Sequence, residues 1–204
     1  MERLHIHGRE RTGCSSDNFL RSGESIVTIS HLCKQYLGSS LSDALGRLSS
    51  DKKRMAYLAE ETAEITGLGE FPQYLTLLFE IDALVLNDDR HLNNIAVIAK
   101  GSKFGYCPIF DQGAGLLSNM MYSPMHIIPK TLIADTQARP FNTTFNRQIR
   151  TMQGMYGKQL YMPHFTRREL YEMLEPLLPY YAERDRDLIA DRVCETILIR
   201  QKQQ

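Results

Sequence analysis

The residues with the clearest chemistry lie in two short stretches, Asn87-Asp-Asp-Arg-His-Leu-Asn-Asn94 and Ile109-Phe-Asp-Gln-Gly113. Phosphoryl transfer from a nucleoside triphosphate asks for in-line positioning, divalent cations across the phosphate oxygens and a carboxylate at the attacking hydroxyl. A carboxylate five positions before an amide oxygen, followed across a hairpin by a second carboxylate near a glycine, is the pattern that supplies these parts. Here Asp89 precedes Asn94 by five positions, and Asp111 follows with Gly113 two residues on. Asn94 and Asp111 offer the hard oxygen ligands that Mg²⁺ favours. Asp89, not needed as a ligand, is free to accept a hydrogen bond from a substrate hydroxyl. Gly113 is expected to permit a tight backbone beside the metal. The competing reading of Asp-Asp-Arg-His is a polar helix end, with Arg90 paired to a carboxylate and His91 capping carbonyls. In either reading Arg90 and His91 brace the loop.

These residues need a frame to bring them together. Ile95–Ala99 and Phe104–Phe110 read as two strands joined by Lys-Gly-Ser-Lys, a hairpin that returns Asp111 toward Asn94 across 17 residues. Before them, Tyr74, Leu75, Leu77, Leu78, Ile81, Leu84 and Val85 recur at helical spacing after Pro72, as in a buried helix. Ser40 or Ser42 can cap a helix over 41–48, and Ser50 with Asp51 can start another through Ile65, ended by Gly67 and Gly69. Ile26 to Ile29 reads as a short strand. The first 24 residues show no sustained period, and 113–166 reads as long irregular chain. Helices are expected over 167–177 and 182–200. The whole is one mainly helical α+β domain over 1–204, with a small central hairpin bearing the metal site.

The loop residues also carry a resemblance. Asp89-Arg-His-x-x-Asn94 with Asp111-x-Gly113 resembles the motifs of phosphatidylinositol-kinase-like enzymes. Asn87-x-Asp89-x-His91-x-x-Asn94 followed by Pro108-Ile-Phe-Asp111 looks more like the HipA family of bacterial serine/threonine kinases. The match covers about 71–119, the catalytic and metal core, and extends plausibly through a helical part at 120–204. It implies a protein-kinase-like C-terminal lobe, with Asp89 as catalytic aspartate, Asn94 and Asp111 as Mg²⁺ ligands, and Asn87 and His91 as loop scaffold. It further implies ATP and a protein substrate, and a hinge strand within 1–31 whose backbone at Glu24, Ser25, Ile26 and Val27 would meet adenine. A toxin–antitoxin setting, with an antitoxin-like DNA-binding partner, belongs to the same resemblance.

The chain departs from that family in two places. Gln112 stands where ordinary protein kinases have phenylalanine, and the N-lobe is largely absent: no Gly-x-Gly-x-x-Gly loop and no Val-Ala-Ile-Lys lysine precede Asp89. Gly8-Arg-Glu-Arg-Thr-Gly13 has phosphate-loop glycine spacing, but Cys14 replaces the required lysine and no strand is expected before it. The second function class is therefore a truncated kinase, or a pseudokinase scaffold that takes its phosphate-gripping lobe from another chain.

Composition excludes several alternatives. Formal net charge is zero, which gives no general attraction to nucleic acid or acidic membranes, so neither is expected as a direct partner. Residues 51–111 hold ten acidic against six basic residues, and 126–168 seven basic against one acidic. The basic stretch reads first as a solvated face and second as a surface for phosphate or an acidic partner. The four cysteines form no CxxC pair, so free thiols in a reducing cytoplasm are expected. His5-Ile-His7 alternates as strand ligands can, without a third partner nearby. Met120, Met121 and Met125 read as packing close to where an activation segment would lie.

Overall fold

The computed structural model describes residues 2–203 except His7 and Cys14. The order is a hairpin of β1 (Glu2–Ile6) and β2 (Arg9–Gly13), then β3 (Ser25–Thr28) and helices α1 (Ile29–Leu37), α2 (Leu41–Gly46), α3 (Asp51–Thr66) and α4 (Phe71–Val85). After the loop 86–95 come β4 (Ala96–Lys100) and β5 (Lys103–Tyr106), then α5 (Pro129–Asp135), α6 (Phe145–Tyr156), α7 (Arg167–Leu174) and α8 (Arg186–Gln201). The fold is mixed and mainly helical, with a three-stranded antiparallel sheet in the order β3-β4-β5.

Local chemistry sets the element ends. Ser50 caps α3 by accepting from the Lys53 N–H at 3.3 Å, and Gly67 closes it in the left-handed region at φ 71°. Thr166 and Glu169 form a reciprocal capping box that starts α7. Pro176 and Pro179 then turn the chain into a 3-10 segment, Glu175–Tyr180, where a continuous helix to 177 had been expected.

Other sequence expectations need correction. Ile29 opens α1 instead of ending a strand, because the Thr28 hydroxyl accepts from the His31 N–H and so caps a helix there. The strand there is thus the four-residue β3. The hairpin at 96–106 is not isolated: β3 pairs with β4 through Ser25↔Ala99 to Thr28↔Ala96. The stretch 113–166 contains α5 and α6. Thr144 caps α6, whose apolar face comprises Phe145, Ile149 and Met152. β1 pairs antiparallel with β2, so a strand does precede Gly8. It leads into an antiparallel partner with Glu2 opposite Gly13, and not into the helix N-terminus a phosphate loop requires. His7 and Cys14, named in the metal and phosphate-loop expectations, lie outside the described residues.

α4 is the central helix, packed against α3, α6 and α8. Its Phe71, Leu75, Leu78 and Phe79 are buried with Ile29, Leu32, Met55, Leu58, Ile95 and Val97 in one cluster. Burial of each such side chain contributes roughly 1.5–3 kcal/mol. A second cluster joins Ala83 and Leu86 to Leu117, Leu132, Phe145 and Ile149. The end of α4 therefore sits between two cores, and the loop that follows it starts from a fixed point. Among the described residues no helix is long and apolar enough to cross a membrane.

Candidate functional site

Two charges interrupt the apolar face of α4, Glu80 and Asp82, and both are buried. Glu80 accepts from the Leu160 N–H at 2.6 Å and from Gln153 Nε2 at 2.6 Å, which ties the 157–160 segment to the helix. Asp82 faces the candidate loop. α4 ends at Leu86, held in the left-handed region at φ 56°, and the Asn87 N–H donates to the Asp82 carbonyl at 2.8 Å. This sharp stop turns the chain so that residue 90 returns under the helix.

Arg90 is fully buried and makes four contacts. Its Nε and Nη2 donate to the Asp82 carboxylate at 2.7 and 2.9 Å. Its Nη1 donates to the carbonyls of Asn94 and Phe110 at 2.6 and 2.8 Å. One guanidinium nitrogen thus holds together Asn94 and the residue before Asp111. Asn87 Nδ2 adds a second tie, to Asp82 Oδ1 at 2.9 Å and to the Asp111 carbonyl at 3.3 Å. Burial pushes the Asp82 carboxyl above its ordinary value, and the Arg90 and Asn87 donors oppose that shift. The ion pair at 2.7 Å is the decisive feature, because a buried charge of this kind persists only when paired and hydrogen-bonded.

With the backbone held in this way, the chemistry-bearing atoms are left uncommitted. Asn94 Nδ2 donates to the Asp89 carbonyl at 3.2 Å, so its Oδ1 is directed elsewhere and takes no protein donor. The Asp89 and Asp111 side chains are exposed and make no ion pair among the described residues. Asp111 itself occupies the left-handed region at φ 60°, uncommon for a non-glycine residue but adopted by aspartate more readily than by most. Among the described residues no three His, Cys, Asp or Glu side chains converge as a metal cluster. The donors on offer are one amide and one carboxylate oxygen. That set suits a cation which keeps most of its shell in water and phosphate oxygens, as Mg²⁺ does.

Gly113 lies in a turn. It lies outside the left-handed region, and an added Cβ would meet nothing within 4 Å. Gly115 is the constrained glycine, since a Cβ there would stand 3.0 Å from the Val85 carbonyl and 3.1 Å from that of Gln112. His91 braces the loop through its main chain: its N–H donates to Asp89 and its carbonyl accepts from Asn94, both at 2.8 Å. Its Nδ1 and Asn87 Oδ1 are buried atoms without a protein partner.

Residues 24–27, expected as a hinge, connect to the loop through the sheet. The Ile29 N–H donates to the Ile95 carbonyl at 2.8 Å, which places the end of β3 beside the residue after Asn94. Glu24 is engaged with the Arg21 N–H at 2.8 Å and with Lys100 at 3.7 Å. β3 is an edge strand, so one row of its peptide groups faces no other strand. Met120 and Met121 are exposed beyond the metal-type loop.

Sequence reasoning missed Asp82 and also Arg192. The Arg192 side chain is buried and donates to the carbonyls of Leu117, Ser123, Pro124 and Ile127 at 2.6–3.3 Å, fastening that loop to α8. A charged residue on the apolar face of a helix was the available signal for Asp82. The seven basic residues of 126–168 are all exposed; of these, Arg147 pairs with Asp51, Arg167 with Asp191 and Arg168 with Glu172. No family model, no curated protein and no solved structure matches the chain.

Proposed function

We propose that the chain is an ATP-dependent phosphotransferase of the HipA-like serine/threonine kinase type, built on a protein-kinase-like C-terminal lobe. The observation that carries this reading is the Arg90 clamp. One buried guanidinium fixes Asn94 against Phe110–Asp111, and the ligand-type oxygens of Asn94 and Asp111 are left without protein partners.

Asn94 Oδ1 and the Asp111 carboxylate would hold Mg²⁺, which when bound neutralises charge across the phosphate oxygens. Asp89 accepts the proton of the acceptor hydroxyl. The hydroxyl oxygen forms its bond to the γ-phosphorus as the bond from that phosphorus to ADP breaks. The free edge of β3 supports an adenine-contacting role for 24–27. The outward row of Ile26, Ile98 and Gly105, in which Gly105 contributes no side chain, supports a flat apolar floor beside it.

The test is nucleotide binding by the purified chain with and without Mg²⁺. Wild type is expected to bind MgATP, and Asp111→Ala to lose at least about tenfold in affinity, the scale of one charge-assisted ligand. Asp89→Asn should retain binding and lose about 10²–10⁴ in transfer rate. A chain that neither binds nucleotide nor labels itself or a partner would overturn the reading.

A second reading is a scaffold that receives its phosphate-gripping lobe from another polypeptide. The uncovered outer face of the sheet, where Ile26 is 40% exposed, favours it. MgATP binding that appears only on co-expression with a β-rich partner would decide for this second reading.

A further inference from the structure

Beside the loop, a cavity of about 270 Å³ opens between Asp88 and the 122–142 segment. Asp88, Tyr122, Ser123, Asp135, Arg139 and Asn142 contribute to its wall. The volume falls below the roughly 300–1,000 Å³ of pockets that enclose a whole small molecule, and suits a single long side chain.

Two features of the wall point to a ligand. Ser123 is only 9% exposed, and its hydroxyl has no protein partner while its peptide groups are fully used, N–H to Asn119 and C=O to Arg192. Asp88 is half-buried and makes no ion pair. Its carboxyl is pushed above the usual range by burial first; a hydrogen bond from its own peptide N–H opposes the shift, the Asp89 charge adds to it and Arg139 opposes it. Arg139 is exposed, forms no ion pair and stays beyond contact distance of Asp88. The two carboxylates outnumber the one guanidinium, so the cavity presents a net negative wall with hydroxyl and amide groups around it. A half-buried carboxylate without a counter-ion is completed by a cation, because the pair recovers the attraction that desolvation otherwise wastes.

We propose that this cavity receives a lysine or arginine side chain of a polypeptide acceptor, held by Asp88 with Ser123 and Asp135, beside the hydroxyl that Asp89 orients. The assignment of an acceptor to this side of the loop rests on the phosphotransferase reading. The presence of a cation site does not, and binding alone can test it. The 117–127 loop that Arg192 fastens to α8 forms part of the wall, so the site is pre-shaped by buried contacts.

The experiment uses the full chain and fluorescent seven-residue peptides with a central serine, carrying arginine or its uncharged analogue citrulline at each flanking position in turn. Anisotropy titration is expected to show arginine bound about tenfold more tightly than citrulline at one position, the scale of a charge-assisted contact. Asp88→Asn should erase that preference, and Arg139→Gln should enlarge it by removing the competing cation. Circular dichroism confirms that each variant is folded. Equal binding of arginine and citrulline peptides at every position, or a preference that survives Asp88→Asn, overturns the proposal. Spermidine that displaces the probe as effectively as the arginine peptide would overturn the polypeptide assignment in favour of a free polyamine. MgATP binding is measured in the same samples. If it fails while the Asp88-dependent preference persists, the phosphotransferase reading falls and the cation site stands.

Discussion

Arg90 and Arg192 are both buried, yet they are satisfied in different ways. Arg90 faces the Asp82 carboxylate and uses its remaining donors on two carbonyls. Among the described residues Arg192 pairs with no carboxylate, and it spreads its charge over four main-chain carbonyls. A guanidinium held by a counter-charge fixes two side chains and every segment attached to them. Carbonyls alone fix a loop and leave the charge uncompensated, which is why burial lowers the Arg192 pKa. The first arrangement is suited to registering ligand atoms, and the second to fastening a wall.

The largest expected effect follows from removing the counter-charge. Asp82→Ala leaves Arg90 buried and unpaired, which costs about 3–5 kcal/mol and should abolish or severely weaken cooperative urea unfolding. Replacing both partners by apolar residues, Asp82→Leu with Arg90→Met, should recover most of that stability. It should not recover MgATP binding, since nothing then ties Asn94 to Phe110. A double variant that binds nucleotide as wild type would break the distinction between the two arginines.

Arg192→Met should cost less, about 2 kcal/mol, because it removes the charge together with its hydrogen bonds and leaves neutral carbonyls, those of Leu117 and Ser123 buried, without a donor. The change should be local. Hydrogen exchange is expected to rise across 117–127 while α4 stays protected, whereas equal loss of protection in both would mean that α8 supports the whole fold through this residue.

How much of this was legible in the sequence can be read from the same residues. The Asp89, Asn94 and Asp111 spacing was visible because it is short-range and carries a chemical pattern. The buried helix over 71–85 was visible from its period and from Pro72. Asp82 was passed over because one acidic residue in an apolar helix looks the same whether it is exposed or paired eight residues later. The partners of Arg192 lie 65–75 residues away, a separation that no local pattern encodes. α6 was missed for a related reason. Its polar composition, Phe-Asn-Arg-Gln-Ile-Arg, has a narrow apolar stripe that becomes decisive only against α4.

The two glycines after the metal-type aspartate sharpen that point. Gly115→Ala forces a Cβ against the Val85 carbonyl, which also accepts from the Leu116 N–H at 2.6 Å. The overpacking should cost about 1–2 kcal/mol in thermal unfolding. Gly113→Ala, at the position the motif singled out, should change stability by less than about 0.5 kcal/mol. The reverse order would show that the motif glycine carries the backbone constraint after all.

The smallest effect extends the comparison to an acid. Asp88 is a half-buried carboxylate without a contacting counter-charge, the opposite-sign relative of Arg192. Its folded pKa lies above the ordinary 3.8, chiefly through burial. Below that ordinary value the group is protonated in both the folded and unfolded chains, and burial costs nothing through ionisation. As pH rises through the raised folded value, the unfolded chain has already released its proton, so folded stability falls. Asp88→Asn removes this loss. It should therefore raise the melting temperature slightly near pH 7, by the equivalent of no more than about 0.5 kcal/mol. The gain should disappear near pH 3. An arginine peptide added to wild type should reproduce the gain at pH 7 by supplying the missing counter-charge, and should give the Asn variant nothing. A variant less stable than wild type at pH 7 would mean that Asp88 already has its cation within the fold, and Asp88 would then fall with Arg90 on the paired side of the contrast.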